Sequence, residues 1–290
     1  MKAIIVEGGG LRGAFAAGVL DAFMADNEVN FDLHLGTSAG AILLSSYLAK
    51  QPMRSITILK DPRTKSAFKR FSDFLKGGDF LDLDLLFEIG EEIQPLDIEQ
   101  IFSNPKKEFY ATLSNVDSGQ LEVNKPTKED LKHVIMATSA LPLVVRKPIE
   151  IDGKRFLDGG ITMPIPLQTA IDLGATEILV IRSRPTGYRN DGKSSKLMSR
   201  LLKRSMPELS KALLSRADVY NDTVELIENP PEGLKIQQIQ PVQSLSCSRL
   251  GGTDIELTRD YLLGIEMGKA WIAQTHRENR IKGIQSQRQI

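Results

Sequence analysis

The chain has 290 residues, 41% hydrophobic and 26% charged, a balance that excludes a mainly disordered polypeptide. Basic and acidic residues number 37 each, a formal net charge of +0, which argues against a nucleic-acid binder working by broad electrostatics. One cysteine, Cys247, excludes an intramolecular disulfide framework and a Cys-cluster zinc site, and three scattered histidines weaken any metal site.

Lys2 to Glu7 reads as a short buried strand, too short in its apolar run for a signal-peptide core. The longest uncharged stretch, Leu33 to Ala49, falls short of a spanning helix. The expectation is a soluble, cytoplasmic protein, with peripheral contact at the inner face of a membrane left open. A glycine cluster at Gly8, Gly9, Gly10 and Gly13 precedes a helix, Ala14 to Ala25, with Phe15, Val19, Ala22 and Phe23 on one face. Phe31 to Leu35 reads as a second strand, Gly36 to Gly40 as a tight turn and Ala41 to Ala49 as an apolar helix. Two strand–loop–helix units in succession predict an α/β sheet with crossover helices.

Lys60 to Ser103 predicts short helices and loops. Its phenylalanines (Phe68, Phe71, Phe74, Phe80, Phe87) and the Gly77-Gly78 pair suit either core packing or an acyl-chain pocket and lid. Lys107 to Ser114 and Gln120 to Val123 flank Asp117-Ser118-Gly119 and read as a hairpin. Thr127 with Asp130 predicts a helix N-terminus, the helix running to about Thr138. Ile149 to Ile151 and Lys154 to Leu157 flank Asp152-Gly153, a second hairpin. Glu177 to Ile181 and Leu234 to Ile239 read as strands. Ser195 to Ile227 reads as helical with a break at Pro207, and Thr258 to about Lys282 as a final amphipathic helix. Tyr188 to Ser195 is a loop.

Three motifs carry candidate chemistry. Gly8-Gly9-Gly10-Leu11-Arg12-Gly13 leaves backbone N–H groups uncovered at a helix start, which favours negative charge. Gly8-x-Gly10-x-x-Gly13 also matches a dinucleotide fingerprint, but the acidic residue that should end the second strand is missing, since Asp32 lies near its beginning. Gly36-Thr37-Ser38-Ala39-Gly40 is a G-x-S-x-G nucleophile elbow, with Ser38 projecting from the turn. Asp158-Gly159-Gly160 follows a strand and exposes a carboxylate suited to act as a base. Of the histidines, His276 sits at a charged helix end and reads as a surface residue. His34, four residues before Ser38, reads as core or as support beneath the site. His133 reads as structural.

These motifs, in this order, resemble the patatin-like phospholipase family. Thr138-Ser139-Ala140-Leu141-Pro142, Pro164-Ile165-Pro166-Leu167 and Leu173-Gly174-Ala175 add to the likeness, which covers roughly Met1 to Ser183 and thins out between Met53 and Lys106. The aspartate motif is Asp-Gly-Gly where many members have Asp-Gly-Ala. The resemblance implies a three-layer α/β/α sandwich around a mainly parallel sheet, forming one domain over 1–290, with 184–290 a helical extension packed on it. It implies a Ser38–Asp158 dyad acting on a lipid or fatty-acyl ester through an acyl-enzyme. The amides of Gly9, Gly10 and Leu11 would form the oxyanion hole, with Arg12 adding positive charge and no metal or organic cofactor. An aspartate is a weak base, with a pKa of about 3.9, so the dyad requires a desolvated site. Two alternatives stay open: a nucleotide-binding α/β protein using the Gly8–Gly13 loop, and a non-catalytic lipid- or protein-binding module.

Charge is unevenly placed. Lys193 to Arg216 holds seven basic residues (Lys193, Lys196, Arg200, Lys203, Arg204, Lys211, Arg216) and one acid, Glu208. Leucines and methionines recur there at helical spacing. The segment suits a solvated surface helix or an anionic membrane surface. Asp79 to Glu99 carries eight acids and no Lys or Arg.

Overall fold

The first strand is apolar on both faces, and this decides the architecture. In β1 (Lys2–Val6), Ile4 and Val6 enter one hydrophobic core while Ala3 and Ile5 enter another on the opposite side of the sheet. A strand buried on both sides requires a helical layer over each face. The computed structural model describes residues 1–67, 82–142, 144–145 and 147–287. Phe68, Phe71, Phe74, Phe80, the Gly77-Gly78 pair and Asp79 lie outside the described residues.

In chain order, β1 leads through a short 3₁₀ turn (Gly10–Arg12) into α1 (Gly13–Met24), then β2 (Leu33–Gly36) and α2 (Ala39–Leu48). The irregular region supplies α3 (Arg54–Lys60), α4 (Pro62–Ala67), α5 (Leu83–Ile93) and α6 (Ile98–Ile101). Next come β3 (Glu108–Asn115), β4 (Leu121–Asn124), α7 (Leu131–Ser139), β5 (Ile149–Ile151) and β6 (Lys154–Asp158). A second 3₁₀ turn (Gly159–Ile161) precedes α8 (Leu167–Asp172), β7 (Glu177–Ile181), α9 (Lys193–Leu202), α10 (Pro207–Glu228), β8 (Lys235–Ile239) and α11 (Asp254–Gln287). The strand order is β5-β6-β3-β2-β1-β7-β8, with β4 also paired to β3. The pairs β1–β2, β1–β7, β2–β3 and β7–β8 are parallel, while β3–β4, β3–β6 and β5–β6 are antiparallel. The protein is thus α/β, a mostly parallel sheet between helices.

Both expected hairpins form. Thr127 and Asp130 cap each other, with Thr127 N–H donating to Asp130 Oδ1 at 2.6 Å and Asp130 N–H to Thr127 Oγ1 at 3.4 Å. The regular helix begins one turn later than the cap. α11 starts earlier than its periodicity suggests, at Asp254, because Thr253 accepts from Glu256 N–H and donates to its carboxylate. α11 runs along α1 at a distance set by small residues. A Cβ on Gly18 would lie 2.1 Å from the Tyr261 carbonyl, and one on Gly264 would lie 2.0 Å from that of Phe15. Asp21 accepts from the Tyr261 hydroxyl at 2.7 Å across the same seam.

His34 is fully buried between Phe31 and Tyr47, its Nδ1 hydrogen-bonded to the Glu108 carbonyl at 3.2 Å. Burial is the main cause that pushes its pKa down to about 4 from 6.5. The unfolded chain therefore binds a proton that the folded chain refuses between those values. Stability from this group is present above pH 6.5 and is lost as pH falls towards 4, on the order of 3 kcal/mol in all. In urea titrations, His34→Leu should flatten the decline in folding free energy between pH 6.5 and 4 relative to the parent chain.

Candidate active site

Ser38 stands where β2 turns into α2, with φ 54° and ψ −128°. Holding a non-glycine residue there costs on the order of 1–3 kcal/mol, so its surroundings must enforce the conformation. Ser38 N–H donates to Thr138 Oγ1 at 2.9 Å, and that hydroxyl donates to the Thr112 carbonyl at 2.7 Å. Gly40 N–H closes the turn on the Thr37 carbonyl at 2.8 Å. Gly40 also presses on the end of β1, where a Cβ would lie 2.1 Å from the Val6 carbonyl oxygen. The sharp turn and the close approach together leave the Ser38 hydroxyl at the carboxyl end of the parallel strands, where open α/β sheets bind ligands.

Asp158 ends β6, and its register opposite Leu113 places it beside the elbow. Its backbone is fixed from both sides: its N–H donates to the Ala140 carbonyl at 2.9 Å, and its carbonyl accepts from Ser114 Oγ at 2.8 Å. Oδ1 accepts from Gly160 N–H at 2.7 Å. The side chain is 2% exposed. Burial raises its pKa above the ordinary carboxylate value, against the opposing effects of a Ser38 hydrogen bond, the Arg249 charge, the Gly160 N–H and the Arg216 charge.

The Gly-rich loop follows β1 and faces Ser38. A Cβ on Gly8 would come within 3.0 Å of Ser38 Cβ. Among the described residues, the N–H groups of Gly9 and Gly10 have no hydrogen-bond partner. The Leu11 N–H differs from expectation: it donates to the Arg249 carbonyl at 3.0 Å and is not open to a ligand. Arg12 differs too. It is buried and does not line the Ser38 pocket, and burial and the Arg184 charge lower its pKa to about 10. Gly13, Gly36 and Gly159 are packed against neighbouring chain, and Gly160 adjoins Asp158.

The pocket over Ser38 is lined by Gly8, Gly9, Gly10 and Asp158 together with residues from the second half of the chain: Met198, Leu213, Arg216 and Arg249. The family model described as patatin-like phospholipase matches residues 4–171, which carry the elbow, the Gly-rich loop and Asp158. The chain belongs to this family. An uncharacterized protein, YjjU, of Escherichia coli strain K12 is 36% identical over 275 residues, spanning 93% of this chain and 77% of that one. A second family model, a domain of unknown function, matches residues 206–277. Among solved structures, VipD from Legionella pneumophila aligns with 94% of this chain and 67% of its own, at 12% identity and a TM-score of 0.43.

In this patatin-like chain the C-terminal half contributes two guanidinium groups that sequence reading missed. Arg216, counted above within a surface stretch, instead turns inward. Its Nε donates to the Gly160 carbonyl, and Nη1 reaches Ser195 Oγ at 3.5 Å. Burial, and after it the Arg249 charge, hold its pKa below the usual value. Arg249 has no ion-pair partner among the described residues. Its loop carries no motif, and only the β1–α1 turn beneath it reveals its role. Of the remaining candidates, His276 lies 3.5 Å from Asp26 and 3.3 Å from Glu28, beside Lys2 and Glu177 at the amino ends of β1 and β7. It is at the opposite end of the sheet from Ser38. His34 does not line the pocket, and His133 is exposed. Asp32 accepts from Lys2 N–H at 2.8 Å, also at the far end, where it could not hold a ribose near Gly8.

Burial of Asp158 predicts a trade-off. Its raised pKa means the folded state disfavours the ionised form, so the chain gives up stability as pH rises from the ordinary carboxylate value through the folded one. Asp158→Asn should have a thermal midpoint at pH 7 equal to or above that of the parent, and calorimetry in acid should show the difference vanish.

Proposed function

We propose that the protein is a serine acyl-ester hydrolase acting on lipids through a Ser38–Asp158 dyad. The observation that carries this reading is a serine held at positive φ beside a buried carboxylate, under a loop with two unpartnered N–H groups. In this scheme Ser38 Oγ attacks the ester carbonyl carbon and passes its proton to Asp158. The carbonyl oxygen becomes an oxyanion facing the N–H groups of Gly9 and Gly10. Its collapse expels the alcohol, which takes the proton back from Asp158. Water then repeats the sequence on the acyl-enzyme, releasing the fatty acid and free Ser38. Burial of Asp158 supports its role, because a base with a raised pKa takes a proton more readily at neutral pH. The pair Arg216 and Arg249 keeps the ionised form available and favours a substrate with negative charge near the ester.

A second cavity supports a lipid substrate. It is lined by Gly10 and Ala39, the neighbours of the oxyanion loop and of Ser38, and by Ile42, Ile58, Leu86 and Phe87. An acyl chain fits such a lining, to which Phe87 of the phenylalanine-rich stretch contributes. The nucleotide reading has no support beyond the glycine spacing, since Asp32 is elsewhere.

A fluorophosphonate probe should label the parent chain and not Ser38→Ala, and that variant should lose at least about 10⁴-fold in hydrolysis of a p-nitrophenyl ester. Undiminished turnover would refute the dyad. The acid limb of the pH–rate profile should lie above the ordinary carboxylate value of about 3.9, with activity lost as Asp158 takes up its proton.

Gly90 lies on the α5 wall of the apolar cavity, where a Cβ would meet Arg54 Nη2 and Ile58 Cδ1, each at 3.4 Å. Gly90→Leu should lower kcat/KM for a palmitate ester about tenfold or more against a butyrate ester, the scale of a filled apolar subsite. Equal losses on both esters would place the acyl chain elsewhere.

A further inference from the structure

Helix α9 carries large apolar side chains on two faces. Its inward face combines Leu202, buried in the core beneath, with small polar side chains: Ser195 and Ser199 are buried, and Ser199 Oγ meets Ser210 Oγ of α10 at 2.9 Å. Its outward face carries large apolar ones, Leu197 at 59% and Leu201 at 60% exposure. A surface helix that served only to cover the domain would keep its large apolar side chains on the inward face alone. At about 100° per residue, Leu197 and Leu201 form one stripe along the helix. Ser194 and Met198, which line the Ser38 pocket, lie to one side of the stripe. Lys193, Lys196 and Arg200 lie to the other, all exposed. Lys196 and Arg200 have no ion-pair partner among the described residues. Lys203 and Arg204 follow in the turn, and Leu214, 54% exposed, comes directly after the pocket-lining Leu213 on α10.

We propose that this face, centred on Leu197 and Leu201, docks the protein on an anionic phospholipid bilayer. The leucines enter the acyl boundary and the cations stay among the headgroups, as an interfacial helix requires. The charge pattern selects this occupant. Lys196, Arg200, Lys203 and Arg204 are exposed on and beside this face, so two copies of it would repel each other, whereas an anionic surface attracts it. The stripe borders the pocket mouth, so docking delivers a lipid to Ser38 without its crossing water. The inference extends the hydrolase reading but does not depend on catalysis, and the two fail separately.

The test is flotation of the full chain with vesicles of phosphatidylcholine alone and of phosphatidylcholine mixed with phosphatidylglycerol. The parent chain and Ser38→Ala should both float with the mixed vesicles, less so as salt rises, and not with phosphatidylcholine alone. Near an anionic surface each cation strengthens attachment roughly five-fold, so Lys196→Glu/Arg200→Glu should weaken it by more than about tenfold. Leu197→Ser/Leu201→Ser should weaken it similarly. Both double variants should keep the parent's thermal midpoint and its rate on a soluble butyrate ester. Absence of flotation by the parent, equal flotation on both vesicle types, or unchanged flotation of the variants would overturn the proposal. So would a parent dimer that dissociates in the leucine variant without any vesicle binding, since the face would then be a self-association surface. Loss of ester hydrolysis in the parent chain would sink the hydrolase reading and leave the flotation result standing.

Discussion

The contact between Gly40 and the end of β1 is the constraint on which the site depends. The elbow can turn from β2 into α2 only because nothing projects from Gly40 towards the Val6 carbonyl oxygen, which a Cβ would approach to 2.1 Å. That close approach draws the Ser38 turn against the strand that launches the Gly-rich loop. Ser38 and the open N–H groups therefore come from adjacent parallel strands, and their separation is set by strand spacing rather than by loop flexibility. β3 completes the arrangement from the other side. Its Thr112 carbonyl anchors the Thr138 hydroxyl under Ser38, while its antiparallel pairing with β6 aligns Asp158.

The electrostatics are of one design. Burial of a carboxylate 2% exposed favours its protonated form. Ser38, Gly160 N–H and two guanidinium groups oppose that tendency. Arg216 and Arg249 outnumber the Asp158 carboxylate in the pocket lining, so the pocket leans cationic in a chain whose total charge is zero. The even balance of the whole sequence conceals both this pocket and the basic flank of α9.

Most of the fold was legible because β1, β2 and β7 are short, apolar and separated by glycine or polar turns, and because Asp117-Ser118-Gly119 and Asp152-Gly153 mark their hairpins. Ser38 and Asp158 were legible through motifs whose spacing reflects local sterics. What periodicity could not supply was long-range contact. Arg216 lies in a run of surface cations, and nothing in the sequence separates the one that turns inward from those that do not. Leu11 sits in the right loop, yet its N–H is taken by a carbonyl 238 positions later, as the numbers 249 and 11 give. The exposed leucine stripe of α9 was hidden for the same reason: a helical wheel shows two faces but not which one meets the core.

The Leu11–Arg249 hydrogen bond has a bearing on how the molecule is made. The residues matched by the patatin-like model end at 171, so the elbow, the Gly-rich loop and Asp158 all leave the ribosome well before Arg249. Until Arg249 emerges, the loop beside Ser38 lacks its clasp and Leu11 keeps a free amide. The order of synthesis thus places the clasp of the loop beside Ser38 after every residue of the elbow and of the loop itself.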